Sequence, residues 1–182
     1  YVPKEKEVPM GLLTPDYLFS GVTQITPAFC RHHGYAGLIL DIDNTLTRHN
    51  AQELSVEVAR WLEELRRSGI HCILLSNNHP PRVAPFAKKL GLDYVCEGKK
   101  PLPSGYRQAV EKLGLPPQRI LAVGDQFFTD VLGAKSAKLK MALCRPIQLE
   151  THGFLRAKRV LEIPLWHKTE KRMKKVSEKE GT

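Results

Sequence analysis

The stretch GLILDIDNTL, residues 37–46, joins a short apolar run to a group of acidic and polar residues. An apolar run flanked by turn-forming residues is typical of a buried strand, which we predict at residues 37–42. Asp41 and Asp43 are two positions apart, so both carboxylates point to one side if the strand stays regular. The stretch therefore predicts a buried strand that carries two carboxylates at its end.

Short apolar strands and amphipathic helices alternate along the chain after this stretch. We predict strands at residues 71–75, 93–96, 120–123 and 141–143, and helices at residues 56–67, 81–90, 104–113 and 129–138. Helices of this length between strands are typical of βαβ units and hence of a parallel sheet. The predicted fold class is α/β, a Rossmannoid three-layer sandwich with a central parallel sheet.

Two segments flank the predicted core, which covers residues 37–150. Residues 1–36 contain four prolines and are predicted to form an N-terminal arm that packs on the domain. Residues 151–182 are predicted to form a basic C-terminal extension, helical in part, interrupted at Pro164 and without order after Lys171. Of the net charge of +9, residues 156–182 supply +5, from nine Lys and Arg against four Glu. This balance favours anionic partners, which are phosphorylated substrates, acidic membrane surfaces or nucleic acid.

The cysteines and the apolar runs of the sequence bear on where the protein is located. Four widely spaced cysteines form neither a zinc-binding pattern nor a disulfide framework, which favours a reducing, cytoplasmic location. The longest apolar run is too short to cross a bilayer, and no secretory signal is visible. Because the chain begins at Tyr1 rather than at methionine, removal of an upstream targeting segment stays open as an alternative.

Four of the predicted strands end in polar residues, and in an open parallel sheet these ends form the edge where ligands bind. The residues are Asp41, Asp43, Asn44 and Thr45 after the first strand, Ser76 and Asn77 after the second, Lys100 after the third, and Asp125 and Asp130 after the fourth. Each group alone is an ordinary turn, helix cap or solvated loop. Their joint occurrence, each after its own strand, favours a functional site.

The acidic residues predict phosphoryl chemistry that depends on a metal ion. Carboxylates as close as those of Asp41, Asp43 and Asp125 repel one another in a dry cleft unless a hard cation neutralises them, and Mg²⁺ suits such oxygen ligands. Asp41 can attack phosphorus to form an aspartyl-phosphate. Asp43 can protonate the leaving oxygen and later deprotonate the attacking water. Ser76 and Lys100 can hold the transferring phosphoryl oxygens.

These segments resemble the four motifs of the haloacid dehalogenase (HAD) superfamily. The matching segments are DIDNTL at 41–46, Ser76, Lys100-Pro101 and GDQFFTD at 124–130. The resemblance implies a HAD-like fold, a catalytic set of Asp41, Asp43, Ser76 and Lys100, and Asn44, Thr45 and Asn77 beside the substrate.

The same resemblance implies a Mg²⁺ site. Its ligands would be Asp41, Asp125 and the backbone carbonyl of Asp43, while Asp130 would support the metal through water or a hydrogen bond. Within the superfamily, residues 13–161 resemble the YqeG-type phosphatases of subfamily IIIA. That group is similar to the phosphatidylglycerophosphate phosphatases of mitochondria and plastids.

The motif spacing predicts that no cap domain covers the site. Asp43 and Ser76 are 33 residues apart and Ser76 and Lys100 are 24 apart, and helices and strands fill both intervals. An open mouth suits a phosphate on a large carrier such as a lipid headgroup. Apolar and aromatic residues beside basic ones in the C-terminal extension are typical of contact with an anionic membrane, here on its inner face. The alternative is that Phe154, Leu161 and Trp166 pack on the domain while the charges are solvated.

The sequence therefore predicts a Mg²⁺-dependent phosphatase that converts phosphatidylglycerophosphate to phosphatidylglycerol through an aspartyl-phosphate. One alternative is a phosphatase that acts on phosphoproteins or on the 3′-phosphate ends of nucleic acid, although no aromatic stacking platform favours nucleic acid as a partner. Another alternative is a non-catalytic protein that docks on a membrane or a ribosome. The oligomeric state is not predicted.

Overall fold

The computed structural model describes residues 11–148 and 153–180 and has a six-stranded parallel sheet at its centre. The strands are β1 (Tyr17–Phe19), β2 (Gly37–Leu40), β3 (His71–Leu75), β4 (Asp93–Val95), β5 (Ile120–Gly124) and β6 (Lys140–Cys144). They lie in the order β1-β6-β5-β2-β3-β4, and every neighbouring pair is parallel. The predicted α/β class and the parallel sheet are confirmed.

Helices cover both faces of this sheet. They are α1 (Pro27–His33), α2 (Val56–Arg67), α3 (Pro80–Leu90), α4 (Ser104–Leu113), α5 (Leu132–Ser136) and α6 (Gly153–Glu180). Single 3₁₀ turns lie at Val22–Gln24 and Pro117–Arg119, and a π-helical turn lies at Phe127–Val131. Apart from the predicted helix at 129–138, the elements predicted between residues 37 and 144 agree with the observed ones to within two residues at each end.

The three layers follow from the alternation of side chains along the strands. In β2, Leu38 and Leu40 point to one face, where they join a core that includes Trp61 of α2 and Phe86 of α3. Ile39 points to the other face and joins a second core with α4 and the π-helical turn. Because β2 is buried on both faces, it reads as a continuous apolar run in the sequence.

The N-terminal segment contributes a strand that the sequence did not predict. Tyr17 pairs with Ala142, and Phe19 pairs with Cys144, so β1 extends the sheet beyond β6. The indole of Trp61 donates a hydrogen bond to the carbonyl of Ile25 at 2.9 Å, which fastens the same segment to α2. Three residues are too few to show a strand period, so only the tertiary pairing reveals β1.

The described part of the C-terminal extension is one helix, so the predicted interruption at Pro164 is wrong. Helix α6 runs from Gly153 to Glu180 and packs against β1 and the π-helical turn. Glu162 and Thr169 are buried on its inward face. Tertiary packing of this face offsets the backbone hydrogen bond that a proline removes from a helix. No helix within residues 11–148 or 153–180 has the length and apolar character to cross a bilayer.

Candidate active site

A cavity of about 170 Å³ opens at the carboxyl ends of the central strands, where the sequence placed the site. The residues that line it are Asp41, Asp43, Asn44, His49, Ser76, Asn77, Asn78, Lys100, Gln126, Thr129 and Asp130. Asp125 lies directly beneath and is fully buried. The four strand ends singled out in the sequence therefore meet in one place.

Three carboxylates converge at the floor of this cavity. Asp41, Asp125 and Asp130 each offer one ligand oxygen, and these oxygens lie within 4.8 Å of one another. A buried set of oxygen donors with this charge fits a hard divalent cation such as Mg²⁺. The family resemblance implied only a supporting role for Asp130, whereas the structure brings its carboxylate as close as those of Asp41 and Asp125.

Lys100 joins the carboxylates from the side. Its Nζ donates to Asp41 Oδ1 at 2.5 Å and to Asp130 Oδ1 at 2.7 Å, and its side chain is 4% exposed. Burial lowers the pKa of Lys100, but the carboxylates of Asp130 and Asp41 outweigh it and hold that pKa well above its usual value. Lys100 is therefore a fixed positive charge at the edge of the acidic cluster.

Burial has the opposite effect on the pKa of Asp41. It raises the pKa of Asp41 from 3.8 to about 6, although the Lys100 ammonium opposes the change. Without a cation, the carboxylate that the sequence assigns as nucleophile thus bears a net cost for being charged. A bound divalent cation would remove that cost and hold Asp41 in the anionic form that can attack phosphorus.

Asp43 lines the cavity but is not one of the three clustered carboxylates. Its Oδ2 accepts from the Asn78 side chain at 2.7 Å. Its Oδ1 accepts from the backbone N–H of Asn50 at 2.8 Å and from the Arg82 guanidinium at 3.1 Å. This carboxylate therefore lies outside the cluster, which is consistent with a ligand role for its backbone carbonyl alone. Asn44 follows with a φ of 62°, a left-handed conformation that asparagine tolerates, and turns the chain sharply after Asp43.

The loop that carries Lys100 is held by Asn77. The Asn77 side chain donates to the carbonyl of Lys100 at 2.9 Å and accepts from its amide at 2.7 Å. Both polar ends of this side chain thus contact the loop, so Asn77 fixes Lys100 as well as lining the cavity. Ser76 is buried beside it, and its Oγ accepts from the amide of Asn78 at 3.1 Å, which leaves its hydroxyl proton available to a ligand.

Thr45 lies below the cavity rather than on its wall. Its Oγ1 donates to Asp125 Oδ1 at 3.2 Å, and the residue is 2% exposed. The family resemblance implied a place beside the substrate for Thr45, and in the structure its hydroxyl contacts the Asp125 carboxylate.

Asp125 has a second partner that the sequence did not indicate. Arg159 of helix α6 contacts Asp125 Oδ2 and donates to the Asp125 carbonyl at 2.8 Å. Burial raises the pKa of Asp125 well above its usual range, and Arg159 opposes that rise. Glu162, one turn further along α6, accepts hydrogen bonds from the amides of Phe127 and Phe128 at 2.8 and 3.2 Å.

Two features explain why sequence reasoning missed these partners. Arg159 belongs to a basic segment that is typical of a solvated surface, although its spacing from Glu162 places both on one helix face. Arg82 lies in the first turn of α3, directly after two prolines, and no motif includes it. Its guanidinium contact with Asp43 becomes visible only once β2 and β3 are placed side by side.

Comparisons with known proteins agree with this geometry. The family model for haloacid dehalogenase-like hydrolases matches residues 51–138. The "Probable phosphatase YqeG" of Bacillus subtilis (strain 168) is 30% identical over 141 residues, which cover 78% of this chain and 81% of that protein. A phospholysine phosphohistidine inorganic pyrophosphate phosphatase of Xenopus laevis is 37% identical over 59 residues, or 30% of this chain and 22% of the relative.

Solved structures share the architecture at low sequence identity. A 4-nitrophenylphosphatase from Thermotoga maritima superposes with a TM-score of 0.53 at 14% identity, covering 66% of this chain and 88% of that one. A haloacid dehalogenase-like hydrolase from Brucella suis 1330 also reaches 0.53 at 14% identity, covering 68% and 88% of the two chains. At these identities, the likeness concerns the fold alone.

Proposed function

Since this chain belongs to the haloacid dehalogenase-like hydrolases and is a phosphatase of that family, we propose that it is a Mg²⁺-dependent enzyme whose substrate is phosphatidylglycerophosphate. The product would be phosphatidylglycerol together with inorganic phosphate. The observation that carries the substrate proposal is the cavity at the strand ends, over which no domain is inserted after β2 or β3. The mechanism rests on the separate observation that Asp41, Ser76 and Lys100 line that cavity together.

The reaction divides into two displacements at phosphorus. In the first, an Asp41 oxygen forms a bond to phosphorus, the ester bond breaks, and Asp43 gives a proton to the leaving oxygen. In the second, Asp43 takes a proton from a water that attacks phosphorus, and the bond to Asp41 breaks. Phosphate leaves, and both carboxyl groups return to their starting states.

Lys100 and Ser76 bind the phosphoryl oxygens during both displacements. The ammonium of Lys100 is already fixed against Asp41 Oδ1 at 2.5 Å, so a phosphoryl group that approaches Asp41 meets this charge. Positive charge and a hydroxyl donor placed there stabilise the negative charge that the transferring group carries. Arg82 and Asn78 hold the Asp43 carboxylate in one orientation for its proton transfers.

Asp41, Asp125 and the backbone carbonyl of Asp43 would hold the metal ion, with Asp130 beside them. When bound, Mg²⁺ supplies positive charge that neutralises the carboxylates and the phosphoryl oxygens. The fit rests on the three oxygens that lie within 4.8 Å of one another.

Two features of the described residues support a lipid as the carrier of the phosphate. Only loop residues 41–55 and 76–79 separate β2 and β3 from their following helices, so no domain is inserted above the cavity there. Ile147, whose amide donates to the Asn44 carbonyl at 3.0 Å, is 47% exposed beside the opening. A cavity with an open mouth and apolar neighbours suits a headgroup that remains anchored in a bilayer.

Helix α6 also presents an outward face, away from the buried Glu162 and Thr169. Val160, Leu161 and Ile163 are exposed, by 49 to 66%, and the exposed Lys171 and Lys174 follow along the helix. Apolar side chains followed by basic ones suit the inner, anionic face of a membrane, where we propose that the protein binds peripherally.

In the C-terminal extension, some apolar side chains pack on the domain and others are exposed. The Trp166 ring packs edge-on against Phe127 at 5.4 Å, as the packing alternative predicted for this residue. Leu161 is exposed instead. The side chain of Phe154 lies outside the described residues.

A phosphate-release assay tests the proposal. Purified protein with Mg²⁺ is given phosphatidylglycerophosphate in anionic vesicles, glycerol 3-phosphate, inorganic pyrophosphate, a phosphohistidine peptide and 3′-phosphorylated DNA. We expect the lipid to be cleaved with the highest kcat/KM, and Asp41→Asn to release no phosphate from any substrate. Preferential cleavage of another compound would refute the lipid substrate and leave the mechanism standing. Absence of Mg²⁺-dependent release from the whole panel would refute the proposed activity.

A further inference from the structure

Helix α6 reaches the acidic cluster through Arg159 and the turn that follows Asp125 through Glu162, one helical turn further along. The Arg159 guanidinium contacts the Asp125 carboxylate with one nitrogen and donates to the Asp125 carbonyl at 2.8 Å with the other. One side chain therefore holds both the side chain and the backbone of the same residue. Such a two-point contact fixes orientation, which a single surface charge does not.

Glu162 holds the next part of the same loop. It is 1% exposed, and its Oε1 accepts from the amides of Phe127 and Phe128. Its Oε2 lies 3.3 Å from Arg159 Nη1, so the two side chains brace each other. Together they tie residues 125–128, the turn that follows β5, to helix α6.

The contacts on Asp125 leave its carboxylate little freedom. Thr45 donates to Oδ1 at 3.2 Å from one side, and Arg159 contacts Oδ2 from the other. The residue is fully buried, so water does not compete for these oxygens. A carboxylate held in this way keeps one orientation, and one of its oxygens lies within 4.8 Å of ligand oxygens of Asp41 and Asp130.

We propose that Arg159, braced by Glu162, is a positioning residue that orients Asp125 for metal binding, so that helix α6 completes the active site. This inference rests on the proposed function only in taking Asp125 as a metal ligand. Residues 153–180 lie outside the segment that matches the family model, so the metal site of this chain depends on an element beyond that segment. Partners of metal ligands of this kind typically change metal affinity by about 10- to 100-fold.

A direct metal titration tests the role without using turnover. The full chain is titrated with Mn²⁺, and the free ion is measured by electron paramagnetic resonance. We expect Arg159→Gln to weaken Mn²⁺ binding by about 10- to 100-fold and Glu162→Gln to weaken it by about 10-fold. Arg172→Gln is the matched control, because Arg172 lies on the same helix and also donates to a backbone carbonyl, that of Pro15. We expect its Mn²⁺ affinity to equal that of the wild type.

Arg159→Lys separates orientation from charge. Lysine keeps the positive charge, but its single ammonium lacks the planar pair of nitrogens that contacts both the carboxylate and the carbonyl of Asp125. We therefore expect the Mn²⁺ affinity of Arg159→Lys to lie between those of the wild type and Arg159→Gln. This variant also serves if Arg159→Gln fails to fold, which thermal unfolding in EDTA detects.

The outcomes separate this inference from the proposed function. Failure of the wild type to bind Mn²⁺ would refute the metal site itself. Binding by the wild type, with equal affinity in Arg159→Gln or Arg159→Lys, would refute the positioning role alone. Tighter binding by Arg159→Gln would also refute it, because Arg159 would then compete with the metal for Asp125.

Discussion

Replacing Asp41 by asparagine should stabilise the metal-free protein at neutral pH. Burial raises the pKa of Asp41 to about 6, whereas the unfolded chain has the ordinary value of 3.8. Well below pH 3.8, the carboxyl group is protonated in both states, and its burial carries no cost in charge. As the pH rises through 6, the folded protein also loses the proton and comes to hold a buried anion. The contribution of this residue to stability is therefore present at low pH and lost by neutral pH.

The magnitude follows from the two pKa values. A difference of about 2 pKa units, at 1.36 kcal/mol for each unit, corresponds to about 3 kcal/mol of unfolding free energy. Asparagine cannot ionise, so the Asp41→Asn variant does not lose this unfolding free energy as the pH rises. Most of this change, roughly 2 to 3 kcal/mol in favour of the variant, should appear in the difference in unfolding free energy between pH 4 and pH 7.

Urea denaturation in EDTA at a series of pH values measures this difference. Asp93→Asn is the control, because Asp93 is an exposed carboxylate that does not line the cavity, and its difference from the wild type should stay within about 0.5 kcal/mol across the range. Saturating Mg²⁺ should reverse the advantage of Asp41→Asn, since bound cation stabilises only the wild type strongly. A difference between Asp41→Asn and the wild type that stays constant from pH 4 to pH 7 would refute the reasoning.

Three further predictions concern the metal and its surroundings. Removing Mg²⁺ with EDTA should abolish phosphate release and lower the melting temperature, and unchanged activity after dialysis would contradict a metal-dependent reaction. Arg82→Gln should lower kcat by up to about 100-fold with little change in KM, because Asp43 loses the charge-assisted contact at 3.1 Å that orients it. Arg82→Lys should restore part of kcat, and full activity in both variants would exclude this role. Gly124→Ala should cost about 1–3 kcal/mol in urea denaturation and weaken Mn²⁺ binding, because the added Cβ would lie 2.5 Å from Asp130 Cγ. Normal Mn²⁺ affinity in that variant would show that Asp130 can move without consequence.

Elements with a clear hydrophobic period were predictable from the sequence. Strand β2 is buried on both faces and reads as an apolar run, and α2 shows an apolar stripe that ends at Ser68 and Gly69. The candidate site followed from the same elements, because the ends of parallel strands meet at one edge of the sheet. Asp41 and Lys100 could therefore be placed together although 59 residues separate them.

Features that depend on tertiary contacts were not predictable. The three residues of β1 gain their strand conformation from pairing with β6. Pro164 argues for a helix end in isolation, but packing of α6 on the domain outweighs it. The contact of Arg159 with Asp125 joins residues 34 positions apart, and nothing in a run of basic residues distinguishes the one that contacts the acidic cluster.

The helix predicted at 129–138 also differs from the structure because of contacts that the sequence does not reveal. The chain there forms a π-helical turn at Phe127–Val131 before the short α5. Asp130 is almost fully buried in that turn, where its Oδ2 accepts from the amide of Gln126 at 3.1 Å. The wider turn brings Asp130 to the cluster, and it reflects the demands of the site rather than local helix propensity.

Strand β1 also limits how far the protein can be shortened. In the whole chain, the backbone of β6 is paired on both sides, with β5 and with β1. A polypeptide that begins at Gly37 would retain every motif residue but leave the KMALC strand with a bare row of amide and carbonyl groups. An unpaired apolar edge of this kind recruits other chains, so such a fragment should self-associate into insoluble material even though its catalytic groups are complete.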